Sequence, residues 1–236
     1  MRVAFPSVSL TFAESMSAYL KYLPLNDELY EFMRRQRSGA GDPVLAALRE
    51  ETASLGDDSR MQISEEQGDF LGILARLIGV RNALEVGTFT GYSALCVARA
   101  LPEGGKLLCL DIDDDWTAIA KKHWKRAGVN DRIELRIGPA IETLHQLEPD
   151  RLFDFVFIDA EKTEYDAYYE LILPLVRPNG VILFDNMFWG GFVLEGSIDH
   201  PSAHALRELN AKLASDERIE CVLLPIADGI QMCRKR

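Results

Sequence analysis

From residue 81 onward, short apolar runs alternate with helical repeats, and this rhythm restricts the chain to very few architectures. Runs at 82–86, 106–110, 132–137, 153–158, 180–184, 219–224 and 229–233 read as strands. Helical patterns fall between them at about 91–101, 114–127, 139–147, 164–176 and 201–215. Phe155-Val156-Phe157-Ile158 and Val181-Ile182-Leu183-Phe184 are apolar on both faces, as strands covered by helices on both sides must be. Only a short turn, Pro225 to Asp228, separates the last two strands, so they should pair antiparallel. The expected fold is α/β, with a seven-stranded, mostly parallel sheet and an antiparallel last strand.

The chain before residue 81 carries no strand signal. Met16, Tyr19, Leu20 and Leu23 keep helical spacing, as do Leu25, Leu29, Phe32 and Met33 after Pro24, and Pro43 opens a third run at Val44, Leu45 and Leu48. Ser64 and Gln67 form a capping box before Phe70, Leu71, Leu74, Leu77 and Ile78. The expected organisation is a helical N-terminal segment, residues 1–60, attached to one α/β domain, residues 61–236.

Charge and composition narrow the partners. With 26 Lys plus Arg against 37 Asp plus Glu, the net charge of −11 repels nucleic acid and anionic membrane surfaces. Even the densest apolar stretch, Phe70 to Val80, is broken by Arg76, so no transmembrane helix is expected. Pro6, Ser7, Ser9 and Thr11 interrupt the apolar core that a signal peptide needs, and a cytoplasmic protein is expected. Cys96, Cys109, Cys221 and Cys233 are scattered without a zinc-like spacing and read as small buried hydrophobes. His200 and His204 share a helix face, but Pro201 marks a helix start, and the pair reads as solvated or capping.

In an open parallel sheet the ligand lies beyond the carboxyl ends of the strands, and here those ends are acidic. They carry Glu85-Val86-Gly87, Asp111, Asp159 and Asp185-Asn186. The loop from Gly87 to Gly91 has Phe89 where a dinucleotide fingerprint needs glycine. Glu85 would repel a pyrophosphate and favour a cationic cofactor; Asp111 could accept hydrogen bonds from two ribose hydroxyls. The plainer alternative is that Glu85 caps the loop backbone and Asp111 the next helix. Asp159, Asp185 and Asn186 offer hard oxygen donors suited to Mg²⁺, Ca²⁺ or Mn²⁺. Lys162 would lie near such an ion and could act as a general base; alternatively it forms a surface salt bridge and Asp-Asn an ordinary turn.

Together these segments resemble a known family. Met61-Gln62-Ile63-Ser64, Leu84 to Gly87 with Gly91-Tyr92-Ser93, Leu110-Asp111-Ile112, Gly138-Pro139-Ala140, Phe157 to Ala160 with Lys162, and Asp185 to Gly191 are similar to the cation-dependent O-methyltransferases that include caffeoyl-CoA and catechol O-methyltransferases. The resemblance implies a Rossmann-like S-adenosylmethionine-dependent methyltransferase fold. It also implies a cofactor set of Met61, Ile63, Glu85, Gly87, Phe89, Ser93, Asp111, Ile112, Ala140 and Asp159. It further implies metal ligands Asp159, Asp185 and Asn186, with Mg²⁺ foremost, and catalytic Lys162 and Asp159. Where plant members usually carry Thr this chain has Ile63, so a contact there would have to come from the backbone. The expected acceptor is a small aromatic with vicinal hydroxyls, with Phe188, Trp189, Phe192 and Val193 as its lid or as plain core. A homodimer is expected, partly because Phe5, Val8, Leu10 and Phe12 are more apolar than a free arm should be. The competing readings are a nicotinamide-dependent oxidoreductase and a catalytically inactive methyltransferase-like binding protein.

Overall fold

The structure is a computed structural model that describes residues 23–236. The runs around Met16 and the apolar residues from Phe5 to Phe12 lie outside them. Two compact units are distinguished, one ending at Ala40 and one spanning Gly41–Arg236. The first contains helix α1 (Asp27–Arg35), capped by Asn26, whose side-chain oxygen accepts the Leu29 N–H at 2.9 Å.

The second unit is a seven-stranded sheet with helices on both faces. Its strands are β1 (Asn82–Val86), β2 (Lys106–Asp111), β3 (Ile133–Ile137), β4 (Phe153–Ile158), β5 (Val176–Phe184), β6 (Ile219–Leu224) and β7 (Ile230–Lys235). Its helices are α2 (Pro43–Ala53), α3 (Glu65–Leu77), α4 (Tyr92–Ala100), α5 (Asp114–Arg126), α6 (Ala140–His145), α7 (Tyr165–Ile172) and α8 (Pro201–Ser215). The sheet order is β3-β2-β1-β4-β5-β7-β6. The first five strands are parallel, and β7 runs antiparallel to both β5 and β6. The antiparallel pairing of the last two strands and the helix start at Pro201 are as expected.

Side-chain alternation sorts the core into two layers. Leu84, Val86, Leu108, Leu110, Val156, Ile158, Ile182 and Phe184 join the layer that includes residues of α6, α7 and α8. Ala83, Leu107, Cys109, Phe155, Phe157, Val181 and Leu183 join the layer that includes residues of α2, α3, α4 and α5. All these strand residues are buried, and truncating one such as Phe157 to Ala would cost roughly 3–5 kcal/mol. Cys96, Cys109 and Cys233 are buried and Cys221 is half-buried, none in a disulfide.

Local chemistry sets the helix starts. Asp42 Oδ1 accepts the N–H groups of Val44 and Leu45, each at 2.9 Å, with Pro43 at the first helical position. Asp113 Oδ1 accepts from Trp116 N at 2.8 Å to start α5. Ser64 Oγ caps α3 through Gln67 N at 3.4 Å, but only this leg of the expected capping box forms, because the Gln67 amide turns into the interior. Two boundaries also move. The helical pattern of 164–176 stops as an α-helix at Ile172, where Pro174 tightens the chain into a short 3₁₀ turn. Strand β5 begins at Val176, earlier than expected, because Val176 pairs with Phe153 across a register shift.

Candidate active site at the carboxyl ends of β1, β2, β4 and β5

Strands β1 and β4 are neighbours although β2 and β3 come between them in the chain, so the connections diverge there and leave a crevice at the strand ends. The register brings the acidic ends together. Val86 pairs with Ile158, and Ile158 with Phe184, so Gly87, Asp159 and Asp185 follow one another across three adjacent strands. The backbone ladder continues past the strands: Asp159 N donates to Val86 O at 2.8 Å and Asp185 N to Ile158 O at 3.0 Å.

Glu85 occupies a core position. Its register partners are Cys109 and Phe157, and the residue is 1% exposed. Neither carboxyl oxygen has a hydrogen-bond partner of ordinary geometry, although the Ser93 and Thr88 hydroxyls lie near enough to oppose the effect of burial. Burial dominates, Asp159 and Asp111 add to it, and the pKa is pushed up to about 8. A buried carboxyl group without partners fits a ligand that brings positive charge, such as the sulfonium and ammonium of S-adenosylmethionine.

The loop is clamped by Asp111, not by Glu85. Asp111 Oδ2 accepts the N–H groups of Thr88 and Phe89, each at 2.7 Å, and Oδ1 accepts from Asp113 N at 2.9 Å. A carboxylate has about four acceptor positions, so this buried group keeps capacity for a further donor. Phe89 adopts φ 51° and meets Trp116 edge to face, with centroids 5.1 Å apart. The glycines serve internal approach: a Cβ on Gly87 would come within 2.0 Å of the Asp159 carbonyl oxygen, and one on Gly91 within 2.6 Å of Ala120 Cβ.

Lys162 Nζ lies 2.9 Å from Asp159 Oδ1 and 2.7 Å from Tyr165 Oη. Burial opposes its charge, but Asp159 and Tyr165 outweigh burial and hold its pKa above the usual ammonium value. In this arrangement Lys162 is an ion-pair partner and a proton donor. Asp185 is buried beside Asp159, and burial together with that like charge raises its pKa to about 7. Gln67 lies close enough to oppose the shift, without closing a hydrogen bond of ordinary geometry. Asn186, at φ 57°, donates its N–H to Asp185 Oδ1 at 2.7 Å. Two carboxylates that repel each other, with Asn186 next in the chain, fit a hard divalent cation. Among the described residues no group of three His, Cys, Asp or Glu forms a metal cluster, so the amide would have to serve as third donor.

The remaining expected residues divide. Ser93 and Ala140 are buried at the starts of α4 and α6. The Ile63 side chain is in the core and its carbonyl accepts from Arg49 Nη1 at 3.4 Å. Met61 and Ile112 are exposed, and Phe192 is more exposed than Trp189. Trp189 lies tilted against His200, with centroids 4.8 Å apart, and meets Phe192 edge to face at 5.8 Å. His200 Nδ1 accepts from Ser202 N at 3.2 Å and His204 Nε2 is 2.8 Å from Asp199 Oδ1, so the pair caps and bonds locally.

Sequence reasoning missed two groups. Tyr165 places its hydroxyl among Lys162 Nζ, Ile158 O and Asp185 O, at 2.7, 3.2 and 3.3 Å. Its spacing of three from Lys162 within one turn was the available signal. The second is a polar knot: Thr52 Oγ1 donates to Leu48 O at 2.8 Å and lies 2.9 Å from Thr90 Oγ1, while Gln62 Nε2 reaches Thr52 Oγ1 at 2.9 Å and Thr90 Oγ1 at 3.0 Å. It ties α2, the Met61–Ser64 segment and the glycine loop together.

This sheet order, with acidic strand ends and a partnerless buried carboxyl group at the crevice, defines the Rossmann-like S-adenosylmethionine-dependent methyltransferases. More narrowly, the chain belongs to the O-methyltransferase family, whose profile matches residues 35–236. It is 38% identical over 227 residues to caffeoyl-CoA O-methyltransferase 5 of Nicotiana tabacum, covering 91% of this chain and 94% of that one. Among solved structures it is similar to the O-methyltransferase of Bacillus cereus in complex with SAH, at 34% identity and TM-score 0.77, over 83% of this chain and 91% of that one. It is also similar to the SAH-bound methyltransferase PaMTH1 of Podospora anserina, at 31% identity and TM-score 0.81, over 92% and 99%. The protein is an S-adenosylmethionine-dependent O-methyltransferase, which displaces both the nicotinamide and the inactive-scaffold readings.

Proposed function

We propose that this enzyme methylates one of two adjacent hydroxyls on a small aromatic acceptor and depends on a divalent cation, Mg²⁺ foremost, held by Asp159, Asp185 and Asn186. The observation that carries the reading is the convergence of Asp159, Lys162 and Asp185 beside the partnerless Glu85. When bound, the methyl donor supplies an electrophilic methyl on a sulfonium and the cation supplies a Lewis acid. Glu85 balances the donor's positive charge, Ser93 and Gly87 bound its amino-acid end, Asp111 accepts from ribose, and Ala140 packs on adenine. Met61, Ile63, Phe89 and Ile112 flank the same cleft. Caffeoyl-CoA, named for the tobacco relative, carries a ring with two adjacent hydroxyls and is a fitting member of the acceptor class.

Lys162 receives the acceptor's proton only after its own ammonium has released one to solvent, a loss that engagement of Asp159 by the cation would favour, and Tyr165 fixes the direction of Nζ. Trp189 and Phe192 supply an apolar wall that excludes water and aligns the ring. The working species is a cytoplasmic homodimer that binds neither nucleic acid nor membrane. Among the described residues no helix is long and apolar enough to cross a membrane.

The test is methyl transfer from S-adenosylmethionine to a panel of vicinal diphenols and their monohydroxy analogues, with and without Mg²⁺. Transfer should require the paired hydroxyls and the cation; equal rates on monophenols in chelator would overturn both. Light scattering should give twice the chain mass at micromolar concentration, and a monomer mass would remove the dimer.

A further inference from the structure

The last two strands bring two cysteines face to face. Cys221 on β6 and Cys233 on β7 are direct register partners in an antiparallel ladder. Residues so paired project to the same side of the sheet with Cα atoms about 4.5–5.5 Å apart, inside the range that a disulfide spans without backbone movement. Both belong to the core layer under α8, Cys233 fully buried and Cys221 packed on its edge, where the Cys221 thiol donates to Leu213 O at 3.3 Å. Cys221 also lines an open cavity of about 390 Å³ with Val193, Arg207, Asn210, Val222 and Gln231, which gives small solutes a route to its sulfur. Cys96 and Cys109 lie buried in the other layer.

We propose that Cys221 and Cys233 form a peroxide-oxidisable dithiol that closes to a cross-strand disulfide. Cys221 is the attacking sulfur because it alone of the two reaches the cavity. Its thiolate bonds to one oxygen of hydrogen peroxide as the O–O bond breaks; the other oxygen leaves as hydroxide and takes a proton to become water, giving a sulfenic acid. The Cys233 sulfur then attacks the Cys221 sulfur, the S–O bond breaks, and water departs with the Cys233 proton. Two thiols lose two electrons in all, and one peroxide becomes two waters. Burial, with the neighbouring Cys221 adding to it, holds the Cys233 thiol protonated well above its ordinary range, which agrees with Cys233 acting as the second sulfur and not the first. The crosslink would fasten β6 to β7, its only partner in the sheet among the described residues.

The experiment treats the whole protein with hydrogen peroxide, quenches in acid and maps peptides without reduction. The expected result is one intrachain link between the Cys221 and Cys233 peptides, a mass loss of about 2 Da reversed by dithiothreitol, and free thiols at Cys96 and Cys109. Amide exchange along β6 should slow in the oxidised wild-type protein, and Cys221→Ser should abolish the link. Four thiols still free after treatment, a Cys221 sulfinic acid with Cys233 reduced, or a link between two chains would each overturn the proposal. Because the wild-type map decides the matter, a poorly folding variant does not weaken the test.

Discussion

Glu85 is held in a position that its register partners, Cys109 and Phe157, define as apolar, and its protonation follows from that placement. Its folded pKa of about 8 lies above the 4.5 of an exposed glutamate, so the folded state keeps a proton that the unfolded chain releases. Stability from this group is complete below the lower value and is lost as pH rises through the upper one, by an amount on the order of a few kcal/mol. In the ligand-free protein Glu85→Gln should therefore flatten the fall in Tm across that window; an unaltered slope would show that Glu85 is ionised throughout. For the same reason a cationic methyl donor should bind more tightly as pH rises toward 8, with proton release visible by calorimetry in buffers of different ionisation enthalpy. Lys162 gives a second expectation. Lys162→Ala should lower kcat by roughly 10²–10⁴-fold with little change in cofactor affinity, and alkaline pH should recover part of the loss because hydroxide can accept the proton. A variant that melts earlier yet turns over normally would leave Lys162 as an ion-pair partner of Asp159 and nothing more.

At the scale of elements, the knot of Thr52, Gln62 and Thr90 joins a helix, a connecting segment and the glycine loop through hydrogen bonds that no single element could make. Thr52→Val removes its centre at constant shape and leaves a buried threonine and an amide short of partners. The expected cost is about 1–3 kcal/mol, read from the urea midpoint at constant m-value, together with a raised KM for S-adenosylmethionine. An unchanged midpoint would mean that water replaces the lost bonds. This knot also shows where the sequence becomes illegible. Strands β1 to β4 and helices α4, α5 and α8 announce themselves through apolar period and capping residues, and the acidic strand ends could be found by counting to the last apolar position. Thr52, Thr90 and Gln62 carry no period and meet only through tertiary packing, and Gln67 imitates a capping residue while turning its amide inward. Asp111 shows a second limit: its carboxylate clamps the loop beside the ligand crevice, and spacing alone shows neither that clamp nor that acceptor capacity remains for a ribose.

At the scale of the molecule, the Lys162 ammonium already offsets Asp159, one of the two carboxylates, so part of the cluster's negative charge is met without a cation. Exhaustive chelation should therefore abolish turnover while leaving far-ultraviolet circular dichroism and Tm nearly unchanged, and a chelated protein that unfolds would assign the cation a structural role. The strand order carries a consequence of another kind. Strand β7 follows β6 in the chain yet lies between it and β5, and among the described residues β6 has no other partner. As the nascent chain leaves the ribosome, β6 must therefore wait, with one apolar face uncovered, until the residues of β7 have also emerged and inserted beside β5. The parallel strands can assemble in the order of their synthesis, but this flank closes from the inside outward, and its exposure time is set by translation and by any chaperone that shields β6 until its neighbour arrives.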